Sequence, residues 1–393
     1  MLGSGPGAPG FDDRNVIAHY YSKRLNHITN KERAMGYIFP VDVKDLWAER
    51  TRQFVALGTA KEDIDRLTQT ITDMWGDAPG SWSCEWSKLA QRYAQGDQPY
   101  RAMLAYGGAH FPCLADEAKV TAHQHQLEQY IEASKDFPVA FERRGVNARY
   151  QGGVVEVPVH ILSETDATED TPVLVATGGV DTYKMDLHQM WVTYVLGAHV
   201  RVVAADIPGT GELADVPTSR PSTEILDQVV AFARTLTTGK TGQLGVSFGG
   251  YFSAHAGLTG VVDAAVVVGG PVSNTFTVAN IDALLYGMRD ILGNAYGFAE
   301  VPTNQQLVEV TGRFMLDDLL ANDSNCPMLV INGDQDVHVP ITDAQIFEGR
   351  PDTDVVLIGG GTHCALNRLD LLQPIVTQWL TSHLHAPDAS SAT

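Results

Sequence analysis

The chain has 393 residues, 44% apolar and 19% charged, a composition that suits one large folded domain with an accessory segment. Its 27 basic against 47 acidic residues give a formal charge of -20, which argues against nucleic acid, an anionic membrane or a polyanionic substrate as partner. The 4 cysteines (Cys84, Cys113, Cys326, Cys364) form no C-x-x-C pair and read as reduced thiols. No basic-then-apolar leader opens the sequence and no apolar run is long enough for a membrane span, so the expected location is the cytoplasm.

In chain order, residues 1–14 are rich in Gly and Pro and are expected to be disordered, as is the tail 386–393. Residues 15–145 read as a helical domain. "KEDIDRLTQTITDMW" spaces Ile64, Leu67, Ile71 and Met74 by three and four, and "ADEAKVTAHQHQLEQYIEAS" repeats the pattern. The aromatics between them, among them Trp75, Trp82, Trp86 and Phe111, are expected to form that domain's core rather than a pocket. From Val146 the texture changes. "VNARYQGGVVEVPVHILSE" predicts a hairpin turning at Gly152-Gly153. Six short apolar runs follow, separated by helical stretches: "PVLVAT", "HVRVVAAD", "QLGV", "AAVVVGG", "PMLVING" and "DVVLIGG". The pattern predicts an α/β domain over 146–385, a mostly parallel twisted sheet with helices on both faces. A helical insertion at 274–320 offers a place for a lid.

Active sites in such sheets collect beyond the carboxyl ends of the strands. The third run leads into Gly245-Val246-Ser247-Phe248-Gly249, a G-x-S-x-G pentapeptide between strand and helix. Small flanking residues there permit a strained turn that lifts the serine hydroxyl clear. A serine needs a base, and the base needs an orienting acid. "GGGTHCALNR" supplies His363 as base; "GDQDVHVP" supplies Asp336 as acid, with Asp334 as a rival better suited to a turn. Attack on a carbonyl also requires preset N–H donors. Phe248, directly after the serine, gives one. The loop "GGVD" gives the other, with Val180 the first choice and Gly179 the second. Asp181 either shapes that loop or faces substrate; His188 and Tyr251 are further substrate-binding candidates. His123 and His125, two apart on a helix, point to different sides, so no metal is expected. No Walker, H-E-x-x-H or G-x-G-x-x-G pattern occurs and no cofactor is expected. "GGAHFP" (107–112) is similar to an oxyanion loop but lies in the helical segment, which argues against that role.

Together "GGVD", "DIPGTGE", "GVSFGGY", "GDQDVHVP" and "GGGTHCALNR" resemble the α/β-hydrolase superfamily. More narrowly they resemble the branch of fermentation-respiration-switch esterase-like proteins, dihydroxypseudooxynicotine C–C hydrolase and fungal-pigment polyketide-shortening hydrolases. The resemblance implies the α/β-hydrolase fold, an N-terminal helical cap closing over the site, Ser247 as nucleophile, His363 as base and Asp336 as its orienter. It implies cleavage of an ester, or of a C–C bond beside a ketone, in a hydrophobic, aromatic or polyketide-like acyl compound. The extra acid that some C–C hydrolases of the branch use has no counterpart after "AAVVVGG", where Asp282 is the first carboxylate. A carboxylesterase, lactonase or thioesterase, a non-hydrolytic cyclase or acyltransferase, and a catalytically silent binding protein are the competing readings. The expected partner is a small-molecule substrate; self-association to a homodimer stays open.

Overall fold

The computed structural model describes residues 36–385. The expected disordered ends, 1–14 and 386–393, and the first part of the helical segment lie outside the described residues.

The N-terminal part holds α1 (Val43–Ala56), α2 (Lys61–Thr70), α3 (Trp82–Gln95), α4 (Pro99–His110) and α5 (Glu117–Ala133). Asp42 starts α1 by accepting the N–H groups of Lys44 and Asp45 at 2.8 and 3.2 Å. The buried stripe of α2 continues to Ile71 and Met74, but the helix stops at Thr70. The chain there bonds to the next turn instead: the Thr72 N–H donates to Gly80 O at 2.9 Å and the Trp82 N–H to Asp73 O at 2.8 Å. Trp82 and Trp86 are fully buried and pack with Trp47, Phe54 and Phe111. The aromatics are therefore core.

β1 (Ala140–Tyr150) and β2 (Gly153–Ser163) form the hairpin. Its turn is Gln151-Gly152, both at positive φ, one residue earlier than expected; the expected domain boundary after residue 145 falls inside β1. Then follow β3 (Val173–Thr177), α6 (His188–Ala198), β4 (Arg201–Ala205), α7 (Thr223–Arg234), β5 (Thr241–Val246), α8 (Phe248–Thr259) and β6 (Ala264–Val268). The insertion contributes α9 (Val278–Ala283), α10 (Met288–Ala295), α11 (Asn304–Thr311) and α12 (Asp317–Leu320). β7 (Met328–Gly333), α13 (Thr342–Gln345), β8 (Thr353–Ile358) and α14 (Leu369–Leu384) complete the described chain.

The strands form one sheet in the order β1-β2-β4-β3-β5-β6-β7-β8, antiparallel at β1/β2 and β2/β4 and parallel from β4 through β8. Every residue of β3, β5, β6 and β7 is buried, which is why these segments read as unbroken apolar runs. α7 turns Ile225, Leu226, Val229, Val230 and Ala233 onto one face of the sheet, joined there by α8 and the insertion. α6 and α14 cover the other face. The reversal of strand order at β3 and β5 brings the loops after those strands side by side.

Candidate active site

Ser247 sits between β5 and α8 at φ 56°, ψ -126°, a conformation a non-glycine residue holds only when its surroundings force it. They do. A side chain on Gly245 would meet Gly249 O at 1.9 Å, so strand and helix approach too closely for anything larger. The Ser247 N–H donates to Val268 O at 2.8 Å and the Gly250 N–H to Ser247 O at 2.8 Å, fixing the turn.

His363 follows β8, and its Nε2 lies 2.8 Å from Ser247 Oγ. Its Nδ1 lies 2.7 Å from Asp336 Oδ2. A carboxylate only accepts, so the proton belongs on Nδ1 and Nε2 is left to accept from the serine. Burial alone would depress the imidazole's pKa, but the Asp336 carboxylate holds it well above the usual histidine value. Burial alone would raise Asp336, but the charge of His363 and the hydrogen bonds the carboxylate accepts from His363, Asn332 and the His338 N–H bring the acid down to about 2. Asn332, at the end of β7, ties the two loops together. Its Nδ2 donates to Asp336 Oδ2 at 2.8 Å and its Oδ1 accepts the Cys364 N–H at 3.1 Å. Asp334 is turned elsewhere and caps the Gly360 N–H at 2.8 Å.

The loop after β3 comes up beside Ser247. A side chain on Gly178 would meet Thr182 O at 2.1 Å, and one on Gly179 would meet Ser247 Cβ at 2.9 Å. The Gly179 N–H donates to Thr182 O at 2.9 Å, so it is used within the loop and cannot serve as an oxyanion donor. Among the described residues the Val180 N–H meets no acceptor, and Phe248, first in its helix, has no intrahelical one. The loop is anchored from below. Lys184, fully buried, reaches Asp206 at 2.6 Å and Glu212 at 2.8 Å, and Arg143 reaches Glu212 at 2.7 Å. Burial alone would depress Lys184, yet the two carboxylates hold its pKa above the usual range, and the two cations hold Glu212 below its own.

A cavity of about 90 Å³ opens over Ser247 and His363. Its roof is α1, through Glu49, Arg50 and Gln53, and no residue of the 274–320 insertion lines it. The lid position offered by that insertion is thus filled by the N-terminal helices; the insertion packs on the sheet's other core through Ile281, Ile291 and Phe314. Asp181 lines the cavity, 2.9 Å from Arg50 Nη2. His188 and Tyr251 do not. His188 is buried at the start of α6, bonded to Tyr130 Oη at 2.9 Å, and burial lowers its pKa to about 4. Tyr251 is fully buried in α8 against Phe248, Phe252 and Phe314. Both are core side chains. Gly107 and Gly108 of "GGAHFP" end α4, where close packing on Trp86 and Asp186 accounts for them.

Glu49, Arg50, Gln53 and Asn332 escape a reading of motifs, though not every trace is absent. Arg50 lies on the same helical stripe as Trp47 and Phe54, and a cation on a buried stripe is a signal.

The esterase FrsA-like family model matches residues 27–354. The chain belongs to that family. It is 24% identical over 213 residues to esterase FrsA of Photobacterium profundum, covering 50% of this chain and 49% of that protein. To esterase FrsA of Vibrio cholerae serotype O1 it is 25% identical over 245 residues, covering 58% of each. The chain spans about half the length of the curated relatives it matches. Among solved structures, 2,6-dihydroxy-pseudo-oxynicotine hydrolase superposes with a TM-score of 0.71 at 19% identity, covering 85% of this chain and 95% of that one. AbyA5 superposes with a TM-score of 0.72 at 20% identity, covering 87% and 95%. The fold is that of an α/β-hydrolase. Among the described residues no helix is long and apolar enough to cross a membrane, and no three His, Cys, Asp or Glu side chains are grouped to hold a metal ion.

Proposed function

We propose that the protein is a serine hydrolase that transfers the acyl group of a small ester to Ser247 and then to water. The observation that carries this reading is the unbroken chain Ser247 Oγ, His363 and Asp336, with contacts of 2.8 and 2.7 Å. His363 Nε2 takes the hydroxyl proton as Oγ attacks the carbonyl carbon, and the Val180 and Phe248 N–H groups receive the oxygen as it gains charge. The imidazolium returns the proton to the departing alcohol, and the same base then activates the water that cleaves the acyl-enzyme. Nothing in these steps asks for a cofactor.

Cleavage of a C–C bond beside a ketone is the second reading. It is favoured by two carboxylates on the cavity wall, Glu49 and Asp181, which ester hydrolysis does not need. The test joins fluorophosphonate labelling to turnover of short p-nitrophenyl esters. Wild type is expected to label at Ser247 and turn the esters over. Ser247→Ala and His363→Ala each lose about 10⁴-fold or more in kcat/KM. Labelled protein that spares the esters but cleaves 1,3-diketones favours the second reading; full activity in both variants sinks the triad.

A further inference from the structure

Arg50 projects from the helix over the cavity and is 4% exposed. A buried guanidinium is costly unless its five N–H donors are used, and here they are used unevenly. Nη1 donates to Gln53 Oε1 at 2.6 Å. Nε and Nη2, the two nitrogens of the side-on fork, have no hydrogen-bond partner. Asp181 Oδ2 stands 2.9 Å from Nη2, yet no N–H points at it and that oxygen is itself unbonded. The pair is an ion pair held out of line.

The surroundings keep it there. Gln53 Nε2 donates to Thr182 Oγ1 at 2.9 Å, and Thr182 Oγ1 donates to Asp181 Oδ1 at 3.1 Å. The Phe111 ring lies beneath the guanidinium, 5.4 Å from its carbon. Arg50, Gln53, Thr182 and Asp181 thus form a ring between α1 and the loop that carries Val180. Arg50, whose fork carries those two dry donors, and Ser247 line one cavity.

We propose that Arg50 is a specificity-determining residue whose Nε–Nη2 fork receives an uncharged oxygen acceptor, a second carbonyl or enol oxygen, on the acyl part of the substrate. The fork's geometry takes one or two acceptor lone pairs in its plane. Asp181 already balances Arg50, and Glu49 stands on the same wall with the exposed Arg52, so a substrate carboxylate at the fork would set two negative charges against the one buried guanidinium. A plain hydrocarbon acyl group would leave the donors dry, and a site built around buried donors discriminates strongly against such an analogue. The inference rests on the hydrolytic reading of Ser247 and adds to it what the acyl group must carry.

The experiment compares three p-nitrophenyl esters of one chain length: pentanoate, 4-oxopentanoate and the monoester of glutarate. Each is tested for kcat/KM on wild type and for affinity, by calorimetry, on Ser247→Ala. The oxo ester is expected to exceed the pentanoate by about ten- to hundredfold in both readouts. Arg50→Met, combined with Ser247→Ala for the calorimetry, erases that preference. Arg50→Lys, which keeps the charge beside Asp181 but not the fork, recovers only part of it. Equal handling of the two esters by wild type, or a preference that survives Arg50→Met in folded protein, overturns the proposal. So does a preference for the glutarate ester that depends on Arg50. The calorimetric arm stands apart from chemistry: binding preference without turnover refutes the hydrolytic reading and leaves the fork's role supported.

Discussion

Two buried charge clusters flank the loop after β3, and they are built to different standards. Below it, Lys184 contacts Asp206 and Glu212, and Arg143 contacts Glu212, all at 2.6–2.8 Å, and the Lys184 and Asp206 side chains are nearly or wholly inaccessible. Asp206 also accepts the Lys184 and Glu212 N–H groups, each at 2.9 Å. Above it, Arg50 and Asp181 are paired in charge but not in hydrogen-bond direction. Both clusters carry the desolvation cost of their charges. The lower one recovers more of it in directed bonds, through Lys184 Nζ to Asp206 and Arg143 to Glu212 Oε1, although Glu212 Oε2 is left without a hydrogen bond. The contrast separates a cluster that fixes the position of a loop from one that leaves donors for a visitor.

Removing one cation from each cluster tests the contrast most directly. Lys184→Met leaves Asp206 buried without its cation and Glu212 with Arg143 alone, and urea unfolding at neutral pH should show a loss of about 3–5 kcal/mol. Arg50→Met removes a partner that makes no aligned bond to Asp181 beside a cavity, so the loss should stay near 1–2 kcal/mol. Similar losses for the two variants would erase the distinction.

The loop between the clusters gives the next effect. With Gly178→Ala a methyl group would stand 2.1 Å from Thr182 O, so the loop must open and carry the Val180 N–H away from Ser247. Loss of one oxyanion donor lowers kcat by about 10²–10³-fold with KM little changed. A Gly178→Ala enzyme with wild-type kcat for p-nitrophenyl esters would remove Val180 from the mechanism.

How much of this was legible in the sequence follows from where the information lies. The strands announced themselves because β3, β5, β6 and β7 are buried on both faces, and Ser247, Asp336 and His363 each close an apolar run. The sequence already favoured Val180 over Gly179; the physical reason, a hydrogen bond from Gly179 N–H to Thr182 O, is one that no motif encodes. His188 follows the loop closely in sequence, yet the first turn of α6 carries it to Tyr130 and away from the cavity. Arg50 and Glu49 belong to a helix that meets the sheet only in three dimensions. Motifs record what lies at strand ends; they carry no record of which distant helix comes to rest over them.

The smallest effect comes from Glu49, the second charge that α1 brings to the cavity. Its carboxylate is 3.7 Å from His338 Nε2, and the His338 ring stands 5.3 Å from that of His363. The neighbouring His338 imidazole and the Arg50 cation, against the effect of burial, hold Glu49 below its ordinary pKa, so it is ionised at neutral pH. Burial holds His338 below the usual histidine value and leaves it neutral. His363 must be neutral to accept the serine proton, and its pKa lies above the usual histidine value. Activity should therefore fall as pH drops through that pKa, while Asp336, at about 2, stays ionised throughout. A negative charge near an imidazole favours the imidazolium, so Glu49 works against the base on this limb. Glu49→Gln removes that charge, and the acid limb of kcat/KM should move to lower pH. On the limb the variant should exceed wild type by about two- to fivefold, and at the alkaline plateau the two should coincide. A limb that stays in place would show that His338 and solvent screen the charge. A limb displaced upward would mean that Glu49 acts on His363 by something other than its field.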